Sequence, residues 1–200
     1  MKHLLLLPLL VMLTLIPLLQ PTPVAACVGK SLHIGSNGTL QQDLLAEILA
    51  MLISERTGTT VKVEHLKSPA AAHEALSKAE LDISVEYTGA SQIDVLKGPQ
   101  ISDPQQLFDA VKTRYNEELN LVWLQPFGFN EPRAVSTNIP AQAAPIVRKD
   151  TLKKFPALAR LINKLGGTID AATMQRLEVS AASKNVHDVA KEFLKTNRLI

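Results

Sequence analysis

The chain holds a single cysteine, Cys27, in 200 residues. That excludes an internal disulfide framework and any zinc site built from several thiolates. Aromatic residues are scarce, with five Phe, two Tyr and one Trp, so a ligand site walled by aromatic faces has few residues to draw on. Neither sign of charge dominates: 21 Lys and Arg stand against 19 Asp and Glu, a net charge of +2. These charges are scattered, and the basic stripe that marks a nucleic-acid surface is missing. The nucleophile-elbow pattern is also missing, and His33, His65, His73 and His187 show no metal-ligand spacing. His33 and Ser36 lie close in sequence but have no paired acid at a telling spacing. No catalytic residue, metal or cofactor is therefore expected, and the chain reads as a non-enzyme. What is present is an apolar share of 46%, enough for a sizeable core and too much for a disordered chain.

The apolar excess is concentrated at one end. Lys2 and His3 precede a run from Leu4 to Leu19 that Pro8 and Pro17 interrupt, and small residues follow at Val24-Ala25-Ala26-Cys27. A positive start, an apolar middle and small residues before a cut describe a secretory signal over 1–26. The run is too short and too proline-broken for a comfortable membrane span. Val24–Cys27 also resembles the lipobox of bacterial lipoproteins, which makes Cys27 the expected lipidation site. Ordinary cleavage after Ala26 is the other reading. Either way the product is expected to be exported, periplasmic or lipid-anchored, and to meet the membrane only through its signal or anchor.

Beyond the signal, strand and helix patterns alternate. Leu32 and Ile34 share one face of a short strand, Gly35–Gly38 is a turn, and Thr39 is placed to cap a helix. Leu40, Leu44, Leu45, Ile48, Leu49 and Leu52 recur with helical spacing, which predicts an amphipathic helix that Gly58 ends. Thr60–Glu64 alternates as a strand, Ser68-Pro69 opens a helix over 70–79, and Leu81–Val85 is a third strand. This β-α-β-α-β order predicts right-handed crossovers and a mostly parallel sheet. A helix over 105–118, a strand at Leu121–Leu124, short strands at Arg133–Ser136 and Ala144–Arg148, and a helical remainder complete the pattern. Leu32, Leu45, Leu49, Val61, Val63, Leu81, Ile83, Val122 and Val147 are the predicted core.

Several strings resemble, in family order, the substrate-binding proteins of glycine betaine/choline/carnitine ABC transporters. They are Ile34-Gly35-Ser36, Ala72-His73-Glu74-Ala75-Leu76, Glu86-Tyr87-Thr88-Gly89 after Leu81-Asp82-Ile83, Leu121–Leu124 with Gly128-Phe129-Asn130, Ala144–Lys149, Gly167–Asp170, and Val189–Leu194. The resemblance implies an α/β fold of the type II periplasmic-binding-protein class. It also implies a small quaternary-amine or other polar ligand, and an ABC permease as partner.

The departures from that pattern matter as much. The family's two-lobed members insert the second lobe between the Gly-Phe-Asn and Ala-Pro strings. Here those strings are separated by the 13 residues 131–143, too few for a lobe. The expectation is one domain over 27–200, a single lobe with a short connection. A family string rich in polar residues after Gly-Ser becomes Asn37–Gln41, with Leu40 and Gln41 replacing a threonine and an acid. The Gly-Gly-Thr turn becomes Lys67-Ser68-Pro69, and Arg133 stands where a tyrosine is expected.

Ligands of open α/β sheets bind beyond the carboxyl ends of the strands. That places Ser36, Asn37, Thr39, Ser68, Tyr87 and Thr88 around the expected site, with Arg133 at its rim. Tyr87 also has a plainer reading as a packing residue, Thr39 as a cap and Arg133 as a solvated side chain, and His73 reads as a packing or capping residue. One aromatic face, worth about 0.5–2 kcal/mol to a cation, and half a cleft predict weak binding of betaine or choline, about −4 kcal/mol or less favourable. Self-association could supply a missing wall. The competing function is a protein-interaction module derived from one such lobe.

Overall fold

The computed structural model of the chain describes residues 31–135 and 138–200. The signal segment and Cys27 lie outside them. Strand β1 (Leu32–Ser36) leads to α1 (Leu40–Thr57), β2 (Val61–His65), α2 (Pro69–Ser77) and β3 (Ile83–Tyr87). A single turn, α3 (Thr88–Ala90), runs on into a wider π-type turn at Ser91–Val95. Then come α4 (Pro104–Arg114), extended by a second π-type turn to Leu119, and the strands β4 (Leu121–Trp123) and β5 (Ala143–Arg148). Four helices close the described chain: α5 (Lys149–Lys154), α6 (Leu158–Ile162), α7 (Ala171–Ala181) and α8 (Val186–Thr196).

The strands form one sheet in the order β2-β1-β3-β5-β4. β1 pairs in parallel with β2 and β3, while β5 runs antiparallel to both β3 and β4. Four strands thus share a direction and only β5 opposes them, with Ile83 opposite Val147 and Tyr87 opposite Ala143. The step from β1 to β2 moves outward, and the step from β2 to β3 returns across β1. Right-handed crossovers then put α1 and α2 on opposite faces of the sheet.

Local chemistry sets the element ends. Thr39 accepts a hydrogen bond from the Gln42 amide, Ser68 from Ala71, Asp103 from Gln106, Asp170 from Thr173 and Asn185 from His187, so five helices carry side-chain N-caps. Gly58 ends α1 with φ +68°, in the left-handed region where a glycine pays no Cβ penalty.

Three expectations are corrected. Helix α1 is not amphipathic: from Gln41 to Ile53 every residue but Asp43 and Glu47 is buried, because the sheet packs on one side of it and α6, α7 and α8 on the other. Among the predicted core residues, Leu32, Leu45, Leu49, Leu81, Ile83 and Val147 are buried, but Val61, Val63 and Val122 are only partly so. Those three lie on β2 and β4, the two edge strands, where one flank lacks a neighbour. Finally, Arg133 and Ala134 form no strand; Pro132–Ala134 is a 3-10 turn. Proline fixes φ in the helical range, and the Glu131 carboxylate caps the turn by accepting from the Arg133 amide.

Leu49→Ala, at the centre of the doubly covered helix, should cost about 3 kcal/mol, whereas Val63→Ala on the edge strand should cost about 1 kcal/mol. Urea denaturation of the two variants checks the ranking. Equal losses would contradict the assignment of α1 as the centre of the core.

Candidate functional site

A cavity of about 640 Å³ opens beyond the carboxyl ends of β1 and β3, within the range typical of small-molecule sites. Its walls come from the turn after β1 (Asn37), the first turn of α1 (Gln42), the start of α2 (Ser68 to His73), β3 (Ser84 to Tyr87) and the turn after it (Ala90 to Val95). Alternation along β3 divides the work. Val85 and Tyr87 face α1, while Ser84 and Glu86 face α2.

Tyr87 is fixed on the α1 side. Its hydroxyl donates to Gln41 Oε1 at 2.6 Å and accepts from Gln42 Nε2 at 2.9 Å. Burial pushes its phenol up to about 12, so it stays a neutral donor. Gln41 also donates through Nε2 to Glu131 Oε2 at 2.9 Å and to Glu178 Oε1 at 3.4 Å. Glu131 is in turn gripped by Arg133, Nε to Oε1 and NH2 to Oε2, both at 2.7 Å. This two-pronged grip, with the Gln41 hydrogen bond, holds the Glu131 carboxyl down at about 2.

Glu86 is the polar centre of the α2 side. It accepts from His73 Nδ1 at 2.9 Å, Ser91 Oγ at 2.9 Å and the Tyr115 hydroxyl at 2.8 Å. Tyr115 stands edge-on to His73 at 5.8 Å and to Trp123 at 5.5 Å. The Glu86 hydrogen bond raises the His73 pKa, against the opposing effect of burial. Burial raises that of Tyr115.

The structure separates the seven predicted ligand residues. Asn37, Ser68 and Tyr87 line the cavity. Ser36 does not line it and is fully buried, with Oγ donating to Asp43 Oδ1 at 2.5 Å. Thr39 is exposed and serves as the α1 cap. Thr88 is buried against Pro140 and Gln142, accepting from the Gln142 amide at 3.0 Å and donating to the Pro140 carbonyl at 3.4 Å. Arg133 is not on the cavity's rim. It lies in a separate hollow of about 340 Å³ with Gln41, Glu131 and Glu178, because Glu131 holds its guanidinium there. His33 and Ser36, three apart on β1, face opposite ways, and His33 bonds Glu64. The reading of His73 as mere packing is replaced by its ion pair with Glu86 in the cavity wall.

Gln42, Ser84, Glu86 and Ser91 escaped the sequence reading. One signal was available: a glutamate within a short strand that is mostly apolar needs a partner if the strand is buried. Among the described residues no cluster of three metal-ligating side chains occurs, and no helix is long and apolar enough to cross a membrane.

Glu131 yields a pH test. Its folded-state carboxyl sits below its ordinary 4.5, so its stabilising contribution is present above about pH 4.5 and is lost as pH falls toward 2. Arg133→Ala should raise the Glu131 titration and move the acid limb of stability to higher pH. Carboxyl NMR titration with urea melts from pH 2.5 to 7 checks it; an unmoved limb would contradict the pairing.

The substrate binding domain of the ABC-type glycine betaine transport system, as a family model, matches residues 30–138 and 131–196. The carnitine transport binding protein OpuCC of Listeria monocytogenes is 28% identical over 153 residues, 73% of this chain. The ergothioneine transport permease/ergothioneine binding protein EgtU of Helicobacter pylori is 29% identical over 118 residues, 54% of this chain. The chain spans about half the length of the Listeria protein, 46%, and 19% of the Helicobacter protein. A crystal structure of a glycine betaine/carnitine/choline ABC transporter protein superposes with a TM-score of 0.78 at 18% identity, covering 86% of this chain and 99% of that one. Apo YehZ from Escherichia coli gives 0.75 at 15%, covering 86% and 100%. These likenesses establish the periplasmic-binding-protein fold. With the family model matched along most of its length, the chain belongs to the family of substrate-binding domains of ABC-type glycine betaine transport systems.

Proposed function

We propose that the chain is an exported substrate-binding component of an ABC uptake system for small quaternary amines, with an altered ligand site. The carrying observation is the cavity of about 640 Å³ at the strand carboxyl ends, walled by the buried Tyr87. The family and its relatives, a carnitine transport binding protein and an ergothioneine binding protein, support the same chemistry. Tyr87 offers one aromatic face to a cationic head, while Asn37, Ser68 and Ser84 offer polar contacts. Release would be to a permease, as the paired name of the Helicobacter relative suggests.

Residues 27–200 act in this reading as one lobe, with 131–143 as the connection where the family carries a second lobe. The connection is short and anchored: Asn130 bridges to Gln142, and Gly89 packs so closely beneath Pro140 that a Cβ there would fall 2.6 Å from its carbonyl oxygen. Export proceeds through the 1–26 segment, with Cys27 as the lipidated residue of the processed protein.

Thermal-shift and calorimetric titration of the processed protein with choline, carnitine, glycine betaine and ergothioneine test the reading. At 100 times its dissociation constant a ligand should add about 2.7 kcal/mol of stability. Millimolar binding of at least one amine, weakened about tenfold by Tyr87→Leu, is expected. Binding unaffected by Tyr87→Leu would place the site elsewhere, and no binding of any amine would overturn the reading. Intact-mass measurement checks the anchor: an unmodified Cys27 at the processed N-terminus would exclude lipidation.

A further inference from the structure

We propose that His73 and Glu86 together set the charge the cavity presents and so decide between a purely cationic ligand and a zwitterionic one. The inference rests on the binding reading above and adds to it the residues that sort ligands by charge.

The cavity lining contains no lysine or arginine; its ionisable carboxyl and imidazole groups are Glu86, Asp94 and His73. Asp94 is exposed at the mouth, whereas the Glu86 and His73 side chains are only 12% and 18% exposed. Three donors converge on Glu86, one each from α2, the turn after β3 and the extension of α4. Two are neutral hydroxyls. His73 alone among them can cancel the carboxylate's charge.

Two charge states of one wall follow. With His73 protonated, the pair is neutral and its hydrogen bond charge-assisted. The wall then tolerates the carboxylate of a zwitterion, and the buried Ser84, which makes no side-chain hydrogen bond within the described structure, can donate to it. With His73 neutral, Glu86 leaves one uncancelled negative charge in the wall. That charge attracts a cation and repels a ligand carboxylate, in surroundings where charges are weakly screened.

The groups facing His73 fix the direction. Glu86 comes from β3, Tyr115 from the α4 extension, and Asp94 from the turn after β3. Glu74, its neighbour on α2, is exposed and engaged by Lys78. The hydrogen bond to Glu86 outweighs burial, and His73 holds its proton to a higher pH than an ordinary histidine. The neutral wall therefore prevails in acid, and the negative wall appears as pH rises through the His73 titration.

The test needs two readouts on the processed protein. The first is the His73 ring titration, followed by NMR at its Cε1–Hε1 group, in wild type and in Glu86→Gln. The second is calorimetric titration with choline, a fixed cation, and glycine betaine, a zwitterion, at pH values on either side of that titration. His73 should titrate above the ordinary histidine range and fall back in Glu86→Gln. The choline-to-betaine affinity ratio should rise about tenfold across the titration in wild type. In His73→Gln it should stay high throughout, and in Glu86→Gln low throughout. A flat ratio in wild type, or a His73 titration indifferent to Glu86→Gln, would overturn the proposal. If neither amine binds, the ligand-sorting role falls together with the functional reading, and the NMR titration separately reports whether the ion pair exists.

Discussion

The enclosure of α1 is the constraint on which the rest of the structure depends. A helix packed between a sheet and three further helices can bury its hydrocarbon side chains freely. A polar side chain buried in its first turn must find a partner inside the protein. The first turn carries Gln41 and Gln42, both buried. Five hydrogen bonds of their side-chain amides go to four partners, Tyr87, the Val85 carbonyl, Glu131 and Glu178. The turn therefore gathers the end of β3, the start of the connection and α7 at one point. The cavity wall inherits its rigidity from this demand for hydrogen-bond partners.

Position 41 shows how the demand selects a residue. Its oxygen accepts from Tyr87 while its nitrogen donates to Glu131. A carboxylate there could accept the first bond but not make the second. It would also set two buried negative charges at hydrogen-bond distance, each penalising ionisation of the other. An amide satisfies both neighbours without a charge. Gln41 is thus matched to Glu131 and Arg133, and the string after β1 and the segment at 131–133 are two halves of one arrangement.

This coupling explains what could be read from the sequence. Caps at Thr39, Ser68 and Asn185, the glycine stop at Gly58, and the strand and helix alternation are local signals. They depend on residues a few positions apart, and the elements formed where they pointed. The buried circumference of α1 was not legible, because Gln41, Gln42 and Glu47 give the helix an apparent polar face that only the packing of α7 and α8 reveals as largely interior. Nor was the edge position of β2 and β4, since an alternating strand carries no mark of its place in the sheet. Within the candidate site, Asn37, Ser68 and Tyr87 followed from strand ends alone. Glu86 and His73 are 13 residues apart and Gln41 and Glu131 are 90; no spacing rule connects such pairs. Arg133 was misplaced for the same reason, since its partner is decided by the turn at Pro132.

Two glutamates near Tyr87, Glu131 buried and Glu86 partly so, show how one fold can treat like charges differently. Glu131 is matched to a guanidinium that stays protonated at every relevant pH. Its charge is cancelled permanently, and it acts as a fixed tether between α1 and the connection. Glu86 is matched to an imidazole, whose charge can be withdrawn within an accessible pH range. Structural stability favours the first solution, because a permanently paired carboxylate never becomes a bare buried charge. The second carries a cost that the first avoids: when His73 loses its charge, Glu86 keeps only neutral donors. That cost is tolerable where the carboxylate borders a cavity, since water or a cationic ligand can approach it there. The imidazole partner is thus found on the cavity side of β3 and the guanidinium on the tether side, the arrangement expected if one glutamate holds the fold and the other faces what the cavity receives.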